Sequence, residues 1–286
     1  MCIRDSACGE KNILFTNNDT AYETAISLIQ KGISVEAIVD NREQVDSKLI
    51  YEVEKNNVKI FKGHTIVNTY GHKRINKISI MQLSKDGQNV IGSKIDLSCD
   101  CLGISGGWTP AVHLFTQSGG KLKFRDEDQV FIPNAYPSDQ ISVGACNGDL
   151  TLDSILVNVP KSLKDFLNIK NNVYESFEVL SSYNNSKRNI WLLPSDKVLG
   201  KTKSFVDYQN DATAKDIKLA LREGFKSIEH VKRYTTTGMG TDQGKLGNMH
   251  ALGIISETSE AKMGELGTTT FRPPYTPLTF GTIVGR

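Results

Sequence analysis

The stretch VKRYTTTGMGTDQGKLGNMH, residues 231–250, has the spacing of a loop that could hold a small metal cluster. A Gly238-Met239-Gly240 turn precedes Asp242, the pair Gln243-Gly244 and then Gly247, while FVDYQND upstream sets Asp207 two residues before Gln209. A [2Fe–2S] centre in such a loop needs a C-x-C pair and a C-x4-C pair, because its ferric ions demand soft, anionic thiolates. Here the four positions are Asp207, Gln209, Asp242 and Gly247. Two carboxylates, an amide and a hydrogen atom cannot replace four thiolates. No iron–sulfur cluster is expected, and no metal ligand is assigned.

Three further stretches carry possible binding chemistry. In TNNDTA, Thr16–Ala21, a strand runs into a helix at the place where a dinucleotide-binding turn would present bare glycine backbone to a pyrophosphate. The turn has no glycine, and Asp19 brings negative charge. From the turn alone, an ordinary Asn/Asp helix cap explains it better than a ligand does. Asp40 ends the next strand about 20 residues on, where a ribose-binding acid would lie. In GISGGWTPAVHLF, Gly106 and Gly107 permit close backbone approach and Trp108-Thr109-Pro110 fixes the exit path, with turn chemistry as the alternative. In ISVGACNGD, Gly144 is followed by Ala145, so the acid that would hold a ribityl chain after such a strand is absent.

The cysteines point elsewhere. Cys99 and Cys101 form a C-x-C expected on one face of a strand; His113 lies beyond the Gly-Gly turn, so the pair reads as packing rather than a metal site. Cys146 has nothing nearby to activate it and reads as a small buried residue.

These residues must be positioned by elements that the periodicity outlines. KNILFTNND reads as a buried strand, TAYETAISLIQKG as a helix stopped by Gly32, and ISVEAIVD as a second strand ending at Asp40, which together make a βαβ unit and a parallel sheet. From Val58 to Ile104 the pattern predicts alternating strands forming a hairpin layer. Another hairpin and a strand QISVGA follow, up to Leu150. Residues 151–204 have weak periodicity and read as a linker or irregular connection. Beyond them Thr213 and Asp216 form a capping-box start, Ser227 caps a second helix that Gly238 ends, and Met249, Leu252 and Ile255 mark a third.

Bulk properties exclude some functions. The 286 residues can bury a substantial core, and the formal charge of +2 with acids and bases evenly spread supplies no basic stripe for nucleic acid. No apolar run approaches the roughly 20 residues of a membrane span, and the start lacks a secretory stretch. With five scattered cysteines, the chain is expected in the cytoplasm.

Taken together, FTNNDTAYETA, ISGGWTPAVHLFTQSGG, the run from FVDYQND to TDQGK, and TTFRPPYTPLTFG resemble the alpha subunit of the heterotetrameric sarcosine oxidases from Lys11 to Arg286. The resemblance implies an α/β fold: a partial FAD/NAD-type dinucleotide-binding (Rossmann) domain with a β-hairpin layer at 11–150 and the connection at 151–204. A helical domain like the bacterioferritin-associated ferredoxins, without cluster cysteines, would span 205–260, and a folate-binding aminomethyltransferase-like domain would begin at 261–286. Residues 1–10 fall outside the resemblance. The chain is accordingly expected to be a fragment, lacking the first glycine-rich βαβ half and most of the folate domain, and inactive by itself.

The resemblance further implies oxidative demethylation of sarcosine to glycine, with the one-carbon unit passing to tetrahydrofolate and electrons to O2. NAD would bind the alpha subunit, FMN its interface with the beta subunit, and FAD the beta subunit; beta, gamma and delta subunits and a small secondary amine are the expected partners. The candidate cofactor-binding residues are Thr16, Asn17, Asp40, Gly106, Gly107, Trp108 and Gly144, with Lys245 and helix-end N–H groups facing an anion at the flavin interface. No catalytic residue is assigned. The alternatives are a subunit of a related proline or opine dehydrogenase complex, and a non-catalytic scaffold subunit.

Overall fold

The computed structural model describes residues 9–45, 48–137, 139–169, 179, 189–197 and 201–284. It divides into two compact units, one comprising Met1–Gly107 and Tyr183–Leu199, the other Trp108–Ser182 and Gly200–Arg286. The expected non-family segment lies, except for Gly9 and Glu10, outside the described residues.

The first unit opens with strand β1 (Asn12–Thr16), helix α1 (Thr20–Gln30) and strand β2 (Val35–Asp40), the βαβ unit the periodicity predicts. Gly32, at φ +76°, follows α1 in the left-handed conformation that glycine adopts without steric cost. Helix α2 (Lys48–Lys55) then leads to β3 (Lys59–Lys62), followed by β4 (His64–Gly71), β5 (Ile75–Leu83), β6 (Val90–Ser98) and β7 (Cys101–Ser105). The order in the parallel sheet is β3-β2-β1-β7, and β4-β5-β6 form an antiparallel meander.

The hairpin layer is therefore shorter than Val58–Ile104. Its first and last strands join the parallel sheet, and SKIDLSCDCLGIS is two strands in two sheets, broken at Cys99-Asp100. Cys99 lies in that break, buried in the core, so the two cysteines are not neighbours on one strand face.

Every residue of β1 is buried, as a strand covered on both faces must be. Successive side chains alternate between faces. Leu14 and Ile38 pack with Tyr22, Ala25, Ile50 and Val53 of the two helices. Ile13, Phe15, Ala37 and Val39 pack on the other face with Ile78, Ile80 and Cys99. The meander thus occupies the position that helices take in a doubly wound sheet.

The second unit begins with α3 (His113–Gln117) and the hairpin β8 (Lys121–Arg125) with β9 (Val130–Ala135). The expected strand QISVGA is irregular over 140–143 and enters a 3-10 turn at Gly144–Asn147, where Gly144 at φ +69° turns the chain away from extended geometry. The expected irregular connection starts with α4 (Leu152–Leu167), 16 residues long with Pro160 inside it. Leu152, Ile155, Leu156, Val159, Leu163, Phe166 and Leu167 recur on one face at helical spacing, a period the sequence reading passed over, although no residue of the helix is buried.

Strands β10 (Phe205–Asp207) and β11 (Ala212–Thr213) pair ahead of α5 (Ala214–Arg222), α6 (Ile228–Thr235), α7 (Asn248–Ser259), α8 (Met263–Leu266) and α9 (Phe280–Ile283). The capping box at Thr213 and Asp216 is formed reciprocally. Ser227 occupies the N-cap position of α6 without a side-chain capping bond, and the helix ends at Thr236 (φ +60°), two residues before Gly238. Ile217, Ala220, Val231, Leu252 and Ile255 form the buried faces of these helices.

Candidate functional site

In open α/β sheets ligands bind outside the carboxyl ends of the strands. At that edge of the first unit lie Thr16, paired in register with Asp40 on one side and with Ser105 on the other. The edge is filled by the protein's own polar groups. Thr16 Oγ1 donates to Asn18 O at 2.9 Å, and Asn18 Nδ2 donates to Ser105 O and Oγ, each at 3.1 Å. Asn18 Oδ1 accepts from Thr20 N at 3.1 Å, so Asn18 rather than Asp19 supplies the side-chain acceptor at the start of α1. Asn17 Nδ2 reaches Asn189 Oδ1 at 3.3 Å.

Asp40 is 0% exposed. Its carboxylate accepts from Arg42 N (2.9 Å), Nε (3.1 Å) and Nη2 (2.7 Å) and from Tyr22 Oη at 3.0 Å. Arg42 Nη2 also lies 2.8 Å from a carboxylate oxygen of Asp19, which is itself buried. One guanidinium is thus shared by two carboxylates. Burial alone would pull the Arg42 pKa down, but bonding and charge from Asp40, then Asp19, outweigh it and raise it. Burial, then the Asp40 charge, pushes the Tyr22 hydroxyl far above its ordinary range.

A ribose at Asp40 would have to displace Arg42 and Tyr22 together. Asp19, in turn, puts a carboxylate at the α1 N-terminus, where a pyrophosphate would need bare N–H donors. The residues of this turn therefore do not fit the adenosine diphosphate half of a dinucleotide. Gly106 has open space where a Cβ would lie, and Gly107 adopts φ +90°. These two remain the accessible backbone at the sheet edge.

The other expected residues belong to the second unit. Trp108 is 66% exposed. Gly144 is buried in the 3-10 turn, its hydrogen facing Val159. Lys245 donates from Nζ to Tyr275 O and lies 4.1 Å above the Tyr275 ring.

At the former cluster positions the structure shows a hydrogen-bonded substitute. Asp207 Oδ1 accepts from Gln209 N at 2.8 Å and Asn210 N at 3.0 Å, and Oδ2 accepts from Gly238 N at 2.7 Å. Burial would raise the Asp207 pKa, but these backbone donors hold it below the usual carboxylate value. Gln209 Oε1 accepts from Thr241 Oγ1 at 3.0 Å, and Asp242 Oδ1 accepts from Gly244 N at 3.0 Å.

The glycines of the loop are kept for space and backbone angle. Gly238 and Gly244 have φ +72° and +71°, and a Cβ on Gly244 would fall 2.0 Å from Asn248 Oδ1. At Gly247 it would lie 2.5 Å from Val206 O, where no thiolate side chain could be accommodated without moving the strand. Among the described residues no group of three or more His, Cys, Asp or Glu is arranged to hold a metal.

Sequence reasoning missed Tyr22, Asn18 and Arg42 at the sheet edge. Arg42, two residues after a strand-end acid, was the available signal. It also passed over His113 as a site residue. Its ring is buried against Phe271 with centroids 3.9 Å apart.

Residues 201–286 match the family model of the sarcosine oxidase A3 domain. Along 98% of its length the chain is 33% identical to the sarcosine oxidase subunit alpha of Rhizobium meliloti (strain 1021), of which it spans 27%. It is 31% identical over 97% of its length to the subunit of the same name from Corynebacterium sp. (strain P-1), spanning 29% of that relative. Among solved structures, L-proline dehydrogenase from P. horikoshii superposes with a TM-score of 0.60 at 16% identity, over 97% of this chain and 50% of that one, a likeness of fold. Along nearly its whole length the chain is similar to sarcosine oxidase alpha subunits, of which it spans little more than a quarter.

Proposed function

We propose that the chain serves as part of the alpha subunit of a sarcosine oxidase complex, in which sarcosine is demethylated oxidatively to glycine. The carrying observation is that the similarity to named alpha subunits runs through both structural units, at 33% identity over 98% of the chain. In this reading FAD on a beta subunit oxidises the amine, FMN at the alpha/beta interface passes electrons to O2, and tetrahydrofolate takes the one-carbon unit. Gamma and delta subunits complete the assembly, in the cytoplasm. These cofactors supply the redox chemistry; the chain's own residues bind and position.

Within the first unit, the residues left to contact a dinucleotide are Gly106 and Gly107, with Thr16 and Asn17 at the same sheet edge. Asp40 is occupied by Arg42 and is not proposed as a ribose ligand. Gly144, turned inward against Val159, is likewise a packing residue. Residues 205–260 act as a ferredoxin-like domain kept for assembly, its cross-link made by Asp207 rather than by iron and sulfide.

The test uses the chain co-purified with its partner subunits. Sarcosine-dependent oxygen uptake, with NAD recovered from the denatured complex, is the expected result. A complex without NAD and without flavin-dependent turnover of sarcosine would mark the chain as a scaffold subunit. Turnover of proline or an opine in place of sarcosine, with iron and acid-labile sulfide present, would favour the related dehydrogenases.

A further inference from the structure

The second unit contains a cavity of about 40 Å³ whose lining includes His113 of α3, Lys245 of the loop before α7, Asn248 and Met249 of the first turn of α7, and Thr269 and Phe271 of the following segment. His113 is only 9% exposed, and neither of its ring nitrogens has a hydrogen-bond partner among the described residues. A buried polar group without a partner costs of order 1–3 kcal/mol, so the site is built around a group that something else must satisfy.

The electrostatics of the cavity are one-sided. Lys245 brings its charge to the rim, donating only to the neutral Tyr275 carbonyl. The N-terminus of the 12-residue helix α7 faces the same space, with no side chain capping it. Asn248 turns its amide to Thr269 Oγ1 at 2.9 Å. No residue lining the cavity is acidic. The nearest acid on α6, Glu229, is bound to Thr270 N at 2.7 Å and lies 3.4 Å from Arg233. Burial, then the Lys245 charge, lowers the His113 pKa.

We propose that this cavity is a binding site for a small monovalent anion, held by Lys245, the α7 N-terminus and the His113 imidazole, which takes up a proton from solvent as the anion enters. A single water needs about 10–15 Å³, so a cavity of about 40 Å³ has room for an anion as small as formate or chloride. The 267–275 segment closes the site, tied down by Gln243, Lys245, Asn248 and Glu229, with Gln243 Nε2 donating to Pro274 O at 2.9 Å. The inference concerns this chain alone and does not depend on the flavin complex.

Calorimetric titration of the full chain with sodium formate, and separately with sodium chloride, tests it. Saturable binding of at least one is expected. Because one proton enters with the anion, Kd rises about tenfold per pH unit above neutrality. The His113→Gln variant loses that pH dependence, and Lys245→Gln weakens binding at every pH. Absence of saturable binding by both anions, or a pH dependence unchanged in His113→Gln, overturns the proposal. If His113→Gln does not fold, the NMR titration of the wild-type His113 ring decides: the anion must raise its pKa, and an unmoved titration is equally fatal.

Discussion

Arg42 carries more of the first unit's electrostatics than any residue the sequence singles out. Its removal leaves two buried carboxylates, Asp40 and Asp19, without their shared counter-charge. Breaking a buried pair in this way costs about 3–5 kcal/mol. Arg42→Met is expected to lower the unfolding free energy from urea titration by that much, whereas Tyr22→Phe, which deletes one bond to a charged acceptor, should cost about 1.5–3 kcal/mol. Equal effects of the two would show that the guanidinium is not the hub. His113 gives a pH prediction of definite sign. Its folded pKa lies below the ordinary 6.5, so the unfolded chain binds more protons between those two values. Its contribution is complete above the unfolded pKa, and stability falls as pH drops from 6.5 through the folded pKa. Equilibrium unfolding in a chloride- and formate-free buffer should show that slope, reduced in His113→Gln. A stability that rises on acidification through this range would contradict the assignment.

At the scale of elements, hydrogen bonds join the loop between α6 and α7 to the β10 turn. Asp207 is the joint, since one carboxylate receives backbone donors from its own turn and from Gly238, 31 residues away. Asp207→Ala is expected to destabilise the second unit by about 3 kcal/mol, on the ordinary scale for bonds to charged groups, and to speed amide exchange at Gly238. Gly244→Ala should cost about 1–3 kcal/mol for its backbone angle, plus the displacement of Asn248. Thr213→Ala removes the α5 cap for about 1 kcal/mol, a loss that a thermal melt resolves. The cap was legible in sequence because both partners lie within four residues. The Asp207–Gly238 bond was not, because nothing local pairs a strand end with a turn so far along the chain.

For the molecule as a whole, each of the two units has its own core, and the relatives' similarity extends across both. Its metal content is a direct test of the reading that joins them: the purified chain should hold no iron and no acid-labile sulfide. Stoichiometric iron would mean that ligands outside Asp207, Gln209, Asp242 and Gly247 make a centre. No helix among the described residues is long and apolar enough to cross a membrane.

The sequence by itself determined the βαβ order, the strand ending at Asp40, the α5 cap and the absence of thiolates, along with the resemblance that names a family. These are properties of residue type, spacing and period, and they survive any packing. Only the tertiary structure decided that Asp40 faces Arg42 instead of a ribose and that β3 and β7 leave the hairpin layer for the parallel sheet. It also decided that Gly144 turns inward and that His113 and Lys245 meet at one cavity. Each depends on which distant groups share a buried space, where a charge must find its partner or be neutralised, and spacing along the chain carries no record of that choice.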